Sequence, residues 1–261
     1  MKFVVAIVLF SVIILFHEWG HFLLAKKNGI RVNEFCLGLG PTIVGFTRGE
    51  TKYSIKLLPF GGACMMEGED GESDDQRSFN SKSPLARISV VAAGPVFNFL
   101  MAFVFSVILI GCHGFVEPVV KDVMEGYPAQ ESGITAGDRI TKLDHKSIHF
   151  YEEVSYLAFH TGQEVQVTYE RDGKSYETIL SPQYDSESGR YLIGLYSSGE
   201  YVKTGPLQTL KYGALEMKYW VWYTVNSLKM LVTGRVSVND MSGPVGIVTT
   251  VANVYDQSRA D

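Results

Sequence analysis

Residues Phe3–Ala25 read FVVAIVLFSVIILFHEWGHFLLA, and how they are read decides the rest of the chain. The run is almost unbroken apolar side chain and, as a helix, is long enough to cross a hydrocarbon core of about 30 Å. Near its end stand His17, Glu18 and His21, in the order H-E-x-x-H. Helical residues i and i+4 share a face, so both imidazoles point the same way. Two neutral imidazoles so placed can hold one Zn²⁺, with Glu18 beside them to act on a water. Three ionisable groups at membrane depth are costly and imply a function. A secretory leader would be shorter in its apolar part, would not carry charge before its end, and would be followed by a small-residue cleavage site. The stretch is therefore read as a retained span.

The 261 residues are 46% hydrophobic and carry a net charge of −5. A mean hydropathy of +0.07 lies between a soluble enzyme and a polytopic membrane protein, which suggests a few spans and a soluble module. The pI near 5.7 argues against nucleic acid as a partner. Cys36, Cys64 and Cys112 are odd in number and lack C-x-x-C spacing, so neither a disulfide framework nor a cysteine-rich zinc site is expected.

Lys26, Lys27 and Arg31 follow the first span and only Lys2 precedes it. The positive-inside rule then puts the N-terminus outside, with the HEWGH end and the loop 26–87 in the cytosol. Residues 32–66 read as β structure, with Thr51–Leu58 partly alternating and glycines at turn positions. A hairpin there, folded against the first helix, would offer a free edge for strand addition. Glu67–Asp75, EGEDGESDD, does not fit a calcium-loop pattern and reads as a solvated flexible loop. A second span runs over about 88–111, with Lys82 and Arg87 at its cytosolic entrance, a Gly94-Pro95 kink, and Asn98 as its strongly polar side chain. Asn98 is expected to bond a neighbouring helix.

Residues 112–200 have the composition of a small soluble domain. Strands are expected at 116–123, 139–143, 164–171, 174–181 and near Arg190–Tyr196, with helices at Ala129–Ser132 and Glu152–Thr161. Asp172-Gly173 is a tight hairpin signal. Pro206–Gly234 mixes Tyr and Trp with lysines, as an interfacial helix or one packed on the soluble domain would. Ser242–Gly246 turns into Ile247–Val254, too short to span.

Together HEWGH, AAGPVFNF and GYPAQESGITAGDRITKLD resemble the site-two protease family of intramembrane zinc metalloproteases. The resemblance is to the bacterial regulator-of-sigma-E branch, which cleaves membrane-anchored anti-sigma factors, and it covers essentially the whole chain. It implies an α+β membrane protein with helices carrying HExxH, a membrane-associated β-hairpin and one circularly permuted PDZ-like β-barrel domain. The implied cofactor is Zn²⁺, held by His17 and His21, with Glu18 catalytic. The implied partners are the lipid bilayer, a single-pass transmembrane protein substrate and a peptide C-terminus at the PDZ-like domain, which would lie outside the membrane and filter substrates by size. Ile55, Gly61 and Gly62 on the hairpin, with Asn98, are the candidate substrate contacts. The family's third zinc ligand, an Asp in Leu-Asp-Gly on a later helix, has no match here: Leu143-Asp144 precedes His145, and Asp240 and Asp256 precede Met241 and Gln257. Residues 201–261 then read as the lead-in to a missing last catalytic span, and a chain truncated in this way is expected to have little or no activity. The rival reading is a non-catalytic membrane PDZ scaffold with a vestigial HExxH.

Overall fold

The structure, a computed structural model, describes residues 2–71, 73–154, 163–185 and 190–234. These form two compact units divided between Ala102 and Phe103.

The first unit begins with α1 (Lys2–Lys27), whose sequence has no glycine or proline before Gly20. The helix stops where Gly29 adopts φ +66° and the Ile30 N–H turns back 2.9 Å to the Ala25 carbonyl. That is a Schellman-type end, and Lys26 and Lys27 sit where the helix dipole favours cations. Ala25, Ile30, Val32 and Val90 are fully buried there, while Val4, Val8, Leu9 and Ile13 stay exposed along the helix. An apolar surface left open in this way by the described residues suits lipid.

β1 (Val32–Arg48) and β2 (Thr51–Met66) are long strands that each double back. Leu37 is flanked by Gly62 on one side and Ile55 on the other, and Ile55 in turn pairs with Val44. What reads in sequence as one hairpin is therefore a small sheet of four segments, ordered 62–66, 32–37, 51–55 and 42–48. Gly38 permits one fold-back at φ +90°, where a Cβ would strike the Leu58 carbonyl. Ile55 lies inside this sheet with partners on both sides, so it is not an edge residue as the hairpin reading requires. Among the described residues, the edge segment that reaches α1 is 62–66, whose recognised strand partner is 32–37 alone.

α2 (Pro84–His113) exceeds the expected span at both ends and carries Pro95 inside it. α1 and α2 are each long and apolar enough to cross a membrane. They approach closely at Gly20, where a Cβ would stand 2.6 Å from the Ala93 carbonyl oxygen. Small residues at such crossings let backbones meet.

The second unit holds β3 (Phe115–Val116), β4 (Val120–Val123), α3 (Pro128–Glu131), β5 (Arg139–Leu143), β6 (Lys146–Ser147), β7 (Val165–Arg171), β8 (Lys174–Leu180), β9 (Gln183–Asp185), β10 (Arg190–Leu192), β11 (Leu195–Ser197), β12 (Tyr201–Val202) and α4 (Pro206–Val232). Four strands form one sheet in the order β6-β5-β7-β8. Alternation along β7 buries Val165, Val167 and Tyr169 on one face, against Val120, Ile134, Ile140, Leu143 and Ile193. The β7–β8 turn is Asp172-Gly173 with both φ positive, as a two-residue hairpin requires. The expected strand near Arg190–Tyr196 is broken at Gly194 (φ +82°) into β10 and β11, and β11 returns to pair with β4, the start of the domain. Asp138, almost fully buried, receives two 2.7 Å hydrogen bonds from Arg171. α4 packs Tyr219 on Ile110, Phe115 and Phe150 and leaves Leu207, Val225 and Val232 exposed. Most of the helix expected at Glu152–Thr161, together with Asp240, Ser242–Gly246, Ile247–Val254 and Asp256, lies outside the described residues.

Candidate metal centre and its cleft

α1 brings His17 and His21 onto one face, as their spacing predicts. Their Nε2 atoms are 3.2 Å apart. Two nitrogens each ~2.05 Å from a tetrahedral zinc stand ~3.3 Å apart, so the two imidazoles already have the spacing of a chelating pair. The His21 Nδ1 lies 2.7 Å from the Val90 carbonyl oxygen. A carbonyl only accepts, so Nδ1 carries the proton and the Nε2 lone pair of neutral His21 is left for a metal. The His17 Nδ1 lies 3.0 Å from the side-chain amide of Asn98. Both anchors come from α2, some 70 to 80 residues away in sequence.

Gly94, also on α2, faces the same point. A Cβ there would stand 2.6 Å from the His17 Nε2 and closer still to the His21 Nε2. The missing side chain leaves the space toward which both Nε2 atoms point, and the two imidazoles fit two of the ligands of a zinc ion. Sequence reasoning read Gly94-Pro95 only as a kink; its spacing within α2 gave no sign that it faces α1.

Beside the histidines opens a cleft of about 620 Å³, lined by Glu18, His21, Gly62, Cys64, Val90 and the segment Glu67–Gly71, among others. Gly62 lets the free strand edge reach α1: a Cβ there would be 2.9 Å from Ile14 and 3.2 Å from the Glu18 Cγ. Burial pushes the Cys64 thiol up to about 12, so it lines the cleft as the uncharged thiol. The Glu67–Asp75 stretch, expected to be freely solvated, is tied down at its base. The Glu67 carboxylate accepts hydrogen bonds from Asn33 and Ser73, each 2.8 Å, and the Phe79 N–H donates to the Glu67 carbonyl at 2.7 Å. Burial raises the Glu69 carboxyl above its usual range. Of the sequence-derived candidates, His17, His21, Glu18, Gly62 and Asn98 thus gather at one place. Gly61 is on the adjoining strand edge, and Ile55 is inside the sheet. Among the described residues no group of three His, Cys, Asp or Glu side chains could by itself hold a metal ion.

A paired-imidazole centre with a neighbouring carboxylate, set on an apolar helix beside a strand edge, has the chemical groups that a metallopeptidase site would use. The chain belongs to peptidase family M50, whose pattern it matches over residues 5–260. It is 40% identical over 94% of its length to a protein of Clostridium acetobutylicum named, by inference, a zinc metalloprotease, and covers 72% of that relative. A similarly named protein of Clostridium perfringens is 39% identical over 95% of the chain, with 74% of the relative covered. The regulator of sigma-W protease RasP of Bacillus subtilis is 27% identical over 92% of the chain, which covers 77% of it. Among solved structures, the PDZ domain of an SdrC-like protein of Listeria innocua is 27% identical, covers 33% of this chain and 97% of that one, and has a TM-score of 0.29. The chain is accordingly a zinc metalloprotease of a membrane protease family, and its cofactor is Zn²⁺.

Proposed function

We propose that the protein hydrolyses a peptide bond of a transmembrane substrate at the cytosolic end of α1, in the manner of proteases that release membrane-anchored regulators such as anti-sigma factors. The observation that carries this is the pair of Nε2 atoms 3.2 Å apart, converging on Gly94, at the end of an apolar helix. His17 and His21 would hold the zinc together with a third ligand from outside the described residues. Bound zinc would supply a polarising charge for the scissile carbonyl and lower the pKa of a water toward ~7. Glu18, in the same cleft as His21, takes the proton of the attacking water and returns it to the departing amine. A helical substrate hides its carbonyls within its own hydrogen bonds and must be extended first. The backbone edge at residues 62–65, which has no second strand partner among the described residues, offers the pairing that would hold it so.

The second unit is read as a PDZ-like filter outside the membrane. Supporting this is the return of β11 onto β4, the pairing expected where the chain order of such a domain is permuted. The proposed topology has the N-terminus and this domain outside and residues 26–87 cytosolic, as the basic residues after α1 favour. Reconstitution of the full-length protein with a single-pass substrate tests the reading. Glu18→Gln should keep zinc and lose cleavage by about 10²-fold or more. Equal cleavage by variant and wild type would sink the Glu18 assignment, and cleavage by neither would favour a non-catalytic scaffold.

A further inference from the structure

Asn98 sits half-buried on α2, with its amide nitrogen 3.0 Å from the His17 Nδ1 and its amide oxygen buried without a hydrogen-bond partner among the described residues. A ring nitrogen facing an amide NH₂ must accept, which would place the His17 proton on Nε2, pointing at His21. A cation held by both Nε2 atoms requires the other tautomer, with the proton on Nδ1. Asn98 can meet either demand, because a half-turn of the carboxamide exchanges its oxygen for its nitrogen at nearly the same positions. The second amide atom has no partner whose bond the turn would break.

We propose that Asn98 is a positioning residue for zinc: by turning its carboxamide oxygen to the His17 Nδ1–H, it fixes the ring and tautomer that aim the Nε2 lone pair at the metal. The proposal rests on His17 and His21 being ligands. It gives the two rings different anchors. His21 is held by the Val90 carbonyl, which only accepts and presets one tautomer. His17 is held by an amide that both donates and accepts, so its tautomer follows the occupant of the site. Asn98 is thereby assigned to His17 rather than to the substrate backbone.

The test uses the full-length protein in detergent with ¹⁵N-labelled histidine, at a pH where both rings are neutral. After chelation, the wild-type His17 should be protonated on Nε2. In Asn98→Asp, which can only accept when ionised, it should be protonated on Nδ1. On zinc loading both proteins should show Nδ1–H. Chelator competition should give Asn98→Leu a zinc affinity 10- to 100-fold weaker than wild type, and Asn98→Asp an affinity at least equal to it. Size-exclusion profiles and the thermal transition of Asn98→Leu establish that the fold is retained. An unchanged His17 tautomer in Asn98→Asp, or wild-type zinc affinity in folded Asn98→Leu, overturns the positioning role. Wild-type zinc affinity in His17→Ala would instead overturn the ligand assignment beneath it. Normal zinc with a raised KM in Asn98→Leu would return Asn98 to the substrate and also refute the proposal.

Discussion

Gly94→Ala is a one-carbon change whose consequence can be worked out from the geometry. The new Cβ would stand 2.6 Å from the His17 Nε2, with the His21 Nε2 nearer still. Ordinary contact begins near ~3.5 Å, so each ring must retreat by ~0.9 Å or more. Metal–ligand bonds tolerate only about 0.2 Å, which means neither ring can move aside and still ligate. The added methyl does not itself disfavour the helix, since Ala is preferred over Gly in a helix interior by about 1 kcal/mol. Folding and metal binding are therefore expected to separate. Metal analysis of purified Gly94→Ala should find zinc reduced at least tenfold, with a thermal transition close to wild type. Ala92→Ser, on the exposed face of the same helix, should leave zinc unchanged. Full zinc in folded Gly94→Ala would refute the convergence of the two histidines on Gly94.

Three further expectations concern the rest of the molecule. Arg171→Met leaves the Asp138 carboxylate buried with, among the described residues, the Thr135 N–H as its remaining hydrogen-bond donor, at 2.8 Å. The cost in urea unfolding of the second unit should be about 2 kcal/mol, below the ~3–5 of a fully buried pair because solvent reaches the arginine. Burial by itself would raise the Asp138 carboxyl, but Arg171 and the Thr135 N–H more than offset it and hold the carboxyl below its usual range. A depressed folded pKa gives stability that is present above the unfolded value of ~3.9 and is lost as pH falls through the folded one. The stability gap between wild type and Asp138→Asn should accordingly shrink below about pH 4, and a gap independent of pH would contradict the assignment. Gly62→Val places carbons against Ile14 and the Glu18 Cγ, so it should cut cleavage at least tenfold while zinc content is kept. Loss of zinc in that variant would mean that the strand supports the histidines rather than the substrate cleft.

Local pattern made much of this architecture legible. The apolar run before HEWGH, the alternation in Val165–Arg171 and the Asp172-Gly173 turn each depend on neighbours within a few residues, and each element lies where its pattern predicts. What the sequence concealed was contact at a distance. The doubling of β1 and β2 depends on Leu37 lying between Ile55 and Gly62, which no periodicity reveals. The acidic run at 67–75 has the composition of a loop, and only its bonds to Asn33, Ser73 and Phe79 draw its first residues into the cleft. Asn98 was legible as a polar group needing a partner in an apolar helix, but His17 is 81 residues away. Gly94 carries no side chain to signal its role; its place is visible only from what a Cβ would strike.

The central claim is that His17 and His21 form a zinc site on a membrane helix, and zinc content in the full-length protein tests it most directly. Metal analysis should give one zinc per chain in wild type and in Glu18→Gln, and less than a tenth of that in His17→Ala and His21→Ala. One zinc per chain retained in the double variant His17→Ala, His21→Ala would contradict the account, because the metal would then be held elsewhere.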